Sequence, residues 1–282
     1  MRVALLQYPI AWADKETNLH LAEERIAALA GKADIAVLPE MFATGFCTDH
    51  PELAETMDGD IIRRLQATAD QSGVAIVSSF ICKPAIGQRL VNRGFMITPH
   101  SVYPNREELE GGPYLPSLQG GDGGRLFVQD KRHLYAHGGE DLFFQPADER
   151  HIFEYKGVKI LLLVCYDLRF PVWARNRSGH DYDIIIVVAN WPDIRIQYWD
   201  ALIAARATEN QCYIAAVNCV GDDGMGLHYN GHSVAYDTRL QPIVSFADNE
   251  EGTKIAELDI AKLHHFREVL PLWNDTDNFT LQ

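Results

Sequence analysis

A cysteine lies at the end of a long aliphatic run. Residues 160–164 read Ile-Leu-Leu-Leu-Val, Cys165 follows, and a polar turn then ends at Pro171. This pattern predicts a buried strand whose carboxyl end presents a thiol at the edge of a sheet, where open α/β folds bind their ligands. A thiol at that position can act as a nucleophile if neighbouring groups take its proton and stabilise the charge that its attack creates.

Two charged residues border apolar runs in the same way. Glu40 closes the run at 34–40, and Lys131 follows the run at 126–129. If these strands are neighbours, Glu40 can accept the thiol proton and later activate a water. Lys131 and the backbone N–H of Tyr166 can stabilise a negatively charged oxygen. Each residue alone would suggest a structural role, but the three together favour cysteine-based acyl transfer.

Alternating strand and helix patterns surround these residues. They predict helices at 17–32, 60–72 and 196–210, and strands at 3–8, 34–40, 74–80, 90–98, 126–129, 160–165, 183–190, 213–219, 232–237, 242–246 and 254–259. This alternation is typical of a layered α/β fold. Because the sequence shows neither an internal repeat nor a linker, it predicts a single domain over residues 1–282.

Residues 99–125 interrupt this alternation of strands and helices with prolines, glycines and a glutamate-rich patch. They predict an exposed loop insertion in the domain. The glycine-rich stretch at 120–124 is interpreted as loop rather than as a phosphate-binding turn, because no strand precedes it and no lysine–hydroxyl pair follows it.

The composition narrows the classes of partner. The 282 residues include 25 basic and 39 acidic side chains, which give a net charge of −14. This charge argues against a nucleic-acid or anionic-membrane partner. The odd number and irregular spacing of the five cysteines, without a C-x-x-C pair, fit reduced thiols in a cytoplasmic protein. No apolar stretch has the length of a membrane span.

Two histidine pairs have a spacing that metal ligands could use. His133 and His137 are four residues apart, as are His228 and His232. Both stretches are rich in glycine, and neither offers a third ligand. We therefore expect neither a metal nor another cofactor.

Three segments resemble the signature segments of the nitrilase superfamily and occur in the family's order. They are Val-Leu-Pro-Glu-Met-Phe at 37–42, Asp-Lys-Arg-His-Leu at 130–134, and Leu-Val-Cys-Tyr-Asp-Leu-Arg-Phe-Pro at 163–171. The segments at 205–211, 226–233 and 266–271 are also similar to that family. The resemblance covers nearly the whole chain except 99–125, and the second and third segments are most similar to the omega-amidase branch.

The resemblance implies a Glu–Lys–Cys triad that acts through a thioester. In that mechanism Glu40 is the general base, Lys131 stabilises the intermediate, and Cys165 is the nucleophile. Glu140 corresponds to a second glutamate that holds the hydrogen bonds of the triad. The family's fold is an α-β-β-α sandwich, and its members pair across their helices, which implies a homodimer or a larger homo-oligomer.

Four residues near the triad are candidates for the substrate pocket, namely Phe42, Tyr166, Arg169 and Trp191. Trp191 follows the strand at 183–190, which comes next along the chain after the strand of the nucleophile. Arg169 could hold a substrate carboxylate with its two-pronged guanidinium. It could also brace the turn through Asp167, and this structural role is the one that we favour.

The resulting functional prediction is an amidase that cleaves a small amide and releases ammonia. The branch resemblance implies 2-oxoglutaramate or 2-oxosuccinamate as the substrate. The same triad serves nitriles and N-carbamoyl amino acids elsewhere in the superfamily, so both stay open as alternatives. A non-catalytic binding or scaffold protein on the same fold is the alternative from another class.

Overall fold

The computed structural model describes residues 1–85, 87–102, 126–177 and 180–277. Fourteen strands are formed in these residues: β1 (Arg2–Gln7), β2 (Ile35–Val37), β3 (Ala75–Cys82), β4 (Val91–Ile97), β5 (Leu126–Asp130), β6 (Ile152–Tyr155), β7 (Val158–Val164), β8 (Ile184–Ala189), β9 (Tyr213–Asn218), β10 (Val220–Asp222), β11 (His228–Asn230), β12 (Val234–Tyr236), β13 (Pro242–Ser245) and β14 (Gly252–Glu257).

Six α-helices accompany the strands: α1 (Lys15–Ala27), α2 (Asp60–Ser72), α3 (Glu140–Phe143), α4 (Pro171–Ala174), α5 (Ile196–Asn210) and α6 (Ile260–Val269). Short 3-10 turns lie at Pro51–Leu53, His100–Val102, Ala136–Gly138, Cys165–Arg169, Asp193–Arg195 and Leu272–Asp275. Within the described ranges, no helix is both long enough and apolar enough to cross a membrane.

The strands form two six-stranded sheets and one small hairpin. The first sheet has the order β14-β1-β2-β3-β4-β5, and the second has the order β13-β12-β9-β8-β7-β6. β10 and β11 form the hairpin. The centre of each sheet is parallel, with β1, β2 and β3 in one and β7, β8 and β9 in the other. Parallel strands buried on both faces explain the long aliphatic runs in the sequence.

Alternation along the strands divides the first sheet between two cores. In β1, Val3 and Leu5 pack in the core that holds the apolar residues of the second sheet, such as Leu161. Ala4 and Leu6 point the other way, into the core under α1 and α2. This two-residue period follows from the pleat of a strand.

The second sheet is covered on its outer side by α5 and α6. Trp199 and Ile203 of α5 and Leu263 of α6 are buried against its strands. The layers therefore follow the order helix, sheet, sheet, helix. The predicted four-layer α-β-β-α sandwich is confirmed.

One glycine permits close contact between the two sheets. A Cβ atom on Gly94 of β4 would lie 2.8 Å from Leu162 Cδ2 and 3.1 Å from Val164 Cγ2, both on β7. It would also lie 2.8 Å from the backbone oxygen of Gln129 on the neighbouring strand β5. Position 94 therefore has no room for a side chain, and the backbone of β4 rests directly on the strand that leads to Cys165.

The predicted elements agree with the structure except at a few points. Helix α1 ends at Ala27 rather than at residue 32, because the chain turns at 28–33 and Gly31 takes a positive φ of 71°. Strands β6, β10 and β11 and helices α3, α4 and α6 were not predicted. Of the proposed insertion at 99–125, the turn His100–Val102 is described, while 103–125, with the glycine-rich stretch, lies outside the described residues.

Candidate active site

Four side chains that the sequence singled out lie together at the strand ends. Glu40 follows β2 and Lys131 follows β5, both in the first sheet, whereas Cys165 follows β7 in the second sheet. Glu140 is the first residue of α3. Glu40, Lys131 and Glu140 are fully buried, and Cys165 is 8% exposed. The site therefore forms where the two sheets meet.

Lys131 lies between the two glutamates. Its Nζ donates to Glu40 Oε1 at 3.0 Å and lies 2.9 Å from Glu140 Oε2. Burial alone would lower the pKa of Lys131, but the charges of Glu140 and Glu40 outweigh it and raise that pKa well above its usual value. The ammonium therefore keeps its proton and supplies a fixed positive charge.

Glu140 is held from a second direction by the backbone. Its Oε2 accepts a hydrogen bond from the N–H of Tyr135 at 2.6 Å. Burial raises the pKa of Glu140, although Lys131 offsets part of this effect. The contacts suit a residue that orients Lys131 rather than one that faces the substrate.

Asn92 completes the hydrogen bonds of both carboxylates. Its Nδ2 donates to Glu40 Oε1 at 2.7 Å and to Glu140 Oε1 at 3.0 Å. Its backbone oxygen accepts from the N–H of Lys131 at 2.9 Å. One fully buried amide on β4 thus fixes the relative positions of three charged residues.

The other oxygen of Glu40 is held by Asn190. The backbone N–H of Asn190 donates to Glu40 Oε2 at 3.0 Å, and Asn190 Nδ2 donates to the backbone oxygen of Glu40 at 2.8 Å. Behind it, the buried thiol of Cys219 lies 3.0 Å from Asn190 Oδ1. Glu40 is therefore oriented by groups from both sheets.

Cys165 begins a short turn rather than ending the strand. Its φ is +48°, an unusual value for a residue with a side chain, and it opens the turn Cys165–Arg169. Burial and the charge of Glu40 raise the pKa of the Cys165 thiol well above its usual value, and Lys131 offsets this only in part. The thiol is therefore protonated at rest and needs Glu40 to remove its proton during attack.

Asp167 supports this turn through a histidine. Its carboxylate accepts from the backbone N–H of Val164 at 3.3 Å and from both the backbone N–H and the Nδ1 of His133 at 2.8 Å. Asp167 thus has the structural role that we favoured, but its partner is His133 rather than Arg169. Arg169 extends over aromatic rings instead.

Cys165 opens into a cavity of about 500 Å³. Tyr166, Trp191 and Arg169, three of the four residues proposed for the substrate pocket, line this cavity. Other lining residues include Phe46, Tyr135, Phe143, Arg195, Leu227 and Tyr229. The walls are thus mainly aromatic and apolar, with the guanidinium groups of Arg169 and Arg195 and the carboxylates of Asp49 and Asp223, which suits a small organic substrate.

The predicted position of Phe42 is wrong. Phe42 is fully buried in the core under α1 and α2, where its ring packs edge-to-face on Phe95 at a centroid distance of 6.4 Å. Met41 takes a positive φ of 45°, and after this turn the side chain of residue 42 lies in the core. Phe46, four residues later, lines the cavity instead.

At least one histidine of each candidate pair contacts a carboxylate. His133 bonds to Asp167, and His228 bonds to Asp222 at 2.7 Å. In the part of the chain that the structure describes, no group of three or more His, Cys, Asp or Glu side chains is arranged to hold a metal ion.

Comparison with known proteins assigns the family. The model of the carbon–nitrogen hydrolase family matches residues 2–268. The chain belongs to the carbon–nitrogen hydrolase family. The predicted membership of the nitrilase superfamily, and with it the predicted class of hydrolase, is therefore confirmed.

Relatives and solved structures of this family cover the whole chain. Omega-amidase YafV of Escherichia coli K12 is 38% identical over 282 residues, which are 100% of this chain and 98% of the relative. The 2-oxoglutaramate amidase of Bacillus subtilis is 30% identical over 274 residues, with 97% and 96% covered. The CN-hydrolase superfamily protein XC1258 of Xanthomonas campestris, whose crystal structure has an arsenic adduct in the active site, superposes with a TM-score of 0.87 at 34% identity and covers 100% and 99% of the two chains.

Three residues of the site of this carbon–nitrogen hydrolase were not predicted from the sequence. Asn190 ends the run at 183–190 just as Glu40 ends its own, so the same pattern could have identified it. Asn92 is a polar residue inside a buried strand, which is a weaker signal of the same kind. Arg195 lies in a short turn, and nothing in its surroundings separates it from a surface arginine.

Proposed function

We propose that this carbon–nitrogen hydrolase removes ammonia from the distal amide of 2-oxoglutaramate and 2-oxosuccinamate through a thioester on Cys165. The observation that carries the proposal is the placement of the Cys165 thiol between an aromatic cavity and the buried Glu40–Lys131–Glu140 cluster. The names of the relatives, an omega-amidase and a 2-oxoglutaramate amidase, support this choice of substrate.

The first step is attack of the thiol on the amide carbon. As the bond between Cys165 Sγ and carbon forms, the thiol proton passes to Glu40, and the carbonyl oxygen becomes negatively charged. Lys131 and the backbone N–H of Tyr166 stabilise that oxygen. Because Lys131 is already charged and held by two carboxylates, little rearrangement is needed when the charge develops.

The second step releases ammonia. Glu40 returns its proton to the amide nitrogen, the carbon–nitrogen bond breaks, and the acyl group remains on Cys165 as a thioester. Glu40 then takes a proton from a water, which attacks the thioester carbon. The carbon–sulfur bond breaks, Cys165 regains its proton, and the carboxylic acid leaves.

Glu140 and Asn92 take no proton in this scheme. Glu140 keeps Lys131 charged and oriented, and Asn92 holds the two carboxylates at a fixed separation. These positioning roles follow from their contacts, because Glu140 bonds to Lys131 and to the backbone of Tyr135, and Asn92 bonds to both glutamates.

The cellular setting and the assembly are also part of the proposal. The five cysteines are free thiols, and this supports a reducing cytoplasm. Pairing with a second copy into a homodimer or a larger homo-oligomer stays a prediction from the family resemblance. The net charge of −14 supports a small-molecule substrate rather than a nucleic acid.

The test is ammonia release from purified protein given 2-oxoglutaramate, 2-oxosuccinamate, glutamine or asparagine. We expect rapid release from the two 2-oxo amides, little from the two amino acids, and a loss of at least about 10³-fold in Cys165→Ala. If none of the four substrates released ammonia, the substrate assignment would be contradicted, and nitriles and N-carbamoyl amino acids would be assayed next. Full turnover by Cys165→Ala would contradict the mechanism.

A further inference from the structure

We infer that Arg195 binds the substrate's carboxylate, at the end opposite the amide that Cys165 attacks, and thereby selects amides with an anionic far end. This inference rests on the proposed function for the identity of the amide, but its structural evidence is independent of the catalytic residues.

The first observation is a cation without a partner in an acidic protein. The chain has 39 acidic and 25 basic side chains, and many of the described arginines form ion pairs, as Arg64 does with Glu16 and Glu23. Arg195 is half-buried and lines the cavity, yet no carboxylate of the described residues forms an ion pair with it. Its guanidinium carbon lies 5.3 Å from the centroid of the Tyr135 ring.

Neither of the two carboxylates that line the cavity forms an ion pair with Arg195. Asp223 accepts from the hydroxyl of Tyr229 at 2.9 Å and from two backbone N–H groups of its own loop. Asp49 is exposed and lies 3.7 Å from His50. The positive charge of Arg195 is therefore available to an anion that enters the cavity.

The second observation is that the backbone of Arg195 is fixed relative to the site. Its N–H donates to Pro192 O at 3.0 Å, and its backbone oxygen accepts from Trp191 Nε1 at 2.8 Å. Asn190, which precedes Trp191, donates to Glu40. A short, hydrogen-bonded segment thus connects the arginine to the proposed general base.

A second guanidinium lines the same cavity. The guanidinium carbon of Arg169 lies 4.9 Å from the centroid of the Trp191 ring, whose Nε1 bonds to Arg195. Within the described part of the chain Arg169 also forms no ion pair with a carboxylate. Two guanidinium groups without an ion pair favour a substrate carboxylate at this wall of the cavity.

The chemistry of the guanidinium makes the inference specific. Its planar donors match a carboxylate with two parallel hydrogen bonds, which a lysine ammonium does not reproduce. Binding of this kind affects substrate and transition state alike, because the carboxylate takes no part in the reaction. Its loss should therefore raise KM and leave kcat nearly unchanged.

The test compares a charged and a neutral substrate. We expect Arg195→Gln to raise KM for 2-oxoglutaramate at least about tenfold, with kcat within about threefold, and Arg195→Lys to lie between Arg195→Gln and the wild type. KM for pentanamide, which has the same chain length without the carboxylate, should not change. Arg239→Gln serves as the matched control, because Arg239 is exposed and lies over Phe266, away from the cavity. An unchanged KM for 2-oxoglutaramate, or an equal rise for both substrates, would overturn the inference.

A binding measurement separates this inference from the proposed function. Calorimetry of 2-oxoglutarate with Cys165→Ala should show binding that weakens at least about tenfold in Cys165→Ala/Arg195→Gln. If the wild type hydrolyses neither 2-oxo amide, the proposed function falls, but this comparison still decides the role of Arg195. Equal affinity in the single and double variants would overturn it.

Discussion

His133 and Asp167 join the segment that carries Lys131 to the turn that carries Cys165. Each lies two residues beyond its proposed catalytic neighbour, and His133 Nδ1 is 2.8 Å from Asp167 Oδ1. The His133 ring also stacks on Phe170 at a centroid distance of 3.6 Å. Because Lys131 belongs to the first sheet and Cys165 to the second, this contact connects the two sheets next to the reacting groups.

We expect His133→Ala to lower kcat roughly tenfold or more with little change in KM, because small shifts of Cys165 relative to Lys131 are costly. His133→Asn should retain most of the activity, since its amide can donate to Asp167 in place of Nδ1. Steady-state kinetics on both variants, with thermal unfolding as a check on folding, measures this difference. Equal losses in the two variants would show that the hydrogen bond does not matter.

Removal of Asn92 should disorder the two buried glutamates. Asn92→Ala deletes the donors to Glu40 Oε1 and Glu140 Oε1, and leaves Lys131 to bridge the two carboxylates, each of which keeps one backbone donor. We expect kcat/KM to fall about 10–100-fold, which corresponds to about 1.4–2.7 kcal/mol of transition-state stabilisation. Circular dichroism would confirm that the variant is folded. Unchanged kinetics in a folded variant would refute a positioning role for this amide.

Thiol alkylation should occur first at Cys165. Its side chain is the most exposed of the five cysteines, at 8% against 3% for Cys219 and none for the other three. Because the pKa of the Cys165 thiol is raised, the protonated form dominates at neutral pH, and the thiolate fraction grows about tenfold per pH unit. The rate with iodoacetamide should therefore rise steadily up to pH 9 without a plateau.

Mass spectrometry of partly alkylated protein would locate the modified cysteine. Cys165→Ser is the control and should react slowly. A plateau near neutral pH would mean that the thiolate is already stabilised at rest, contrary to the pKa shift described above.

Substitution of Gly94 should affect stability and activity together. A methyl group there would meet Leu162 and the backbone of Gln129, so Gly94→Ala should lower the free energy of unfolding by about 1–3 kcal/mol. It should also lower kcat, because Val164 is displaced and precedes Cys165. Gly252→Ala is the matched control, since its new methyl group would meet only Phe246 at 3.9 Å. Urea unfolding and kinetics on both variants test the difference, and a stable, fully active Gly94→Ala would contradict it.

The strand ends that meet at the site could be predicted from the sequence. Aliphatic runs identify buried parallel strands, and the residue after each run lies at the carboxyl end of the strand, at the edge of the sheet. Glu40, Lys131 and Cys165 could be found in this way. Asn92 could not, because its role depends on the pairing of β4 with β5. The Phe42 side chain points into the core because the backbone turns at Met41. The spacing of hydrophobic residues does not reveal such a turn.

Other differences have similar causes. Half of the ten residues of helix α6 are polar, and only Leu263 and Arg267 are buried, so its apolar pattern is weak. Its start is capped by Asp259, whose side chain accepts from the N–H of Lys262 at 3.0 Å. Arg195 acquires part of its surroundings from Tyr135, which is distant in the chain.

The division of the site between two sheets has a consequence for the folding of this protein. A refolding intermediate that had formed both sheets, but had not yet docked them, would contain every strand and still lack the contacts of Asn190 with Glu40 and of His133 with Asp167. Such an intermediate would show native-like secondary structure without turnover. The rate at which hydrolytic activity returns during refolding therefore measures the docking of the two sheets, which is the last stage of assembly.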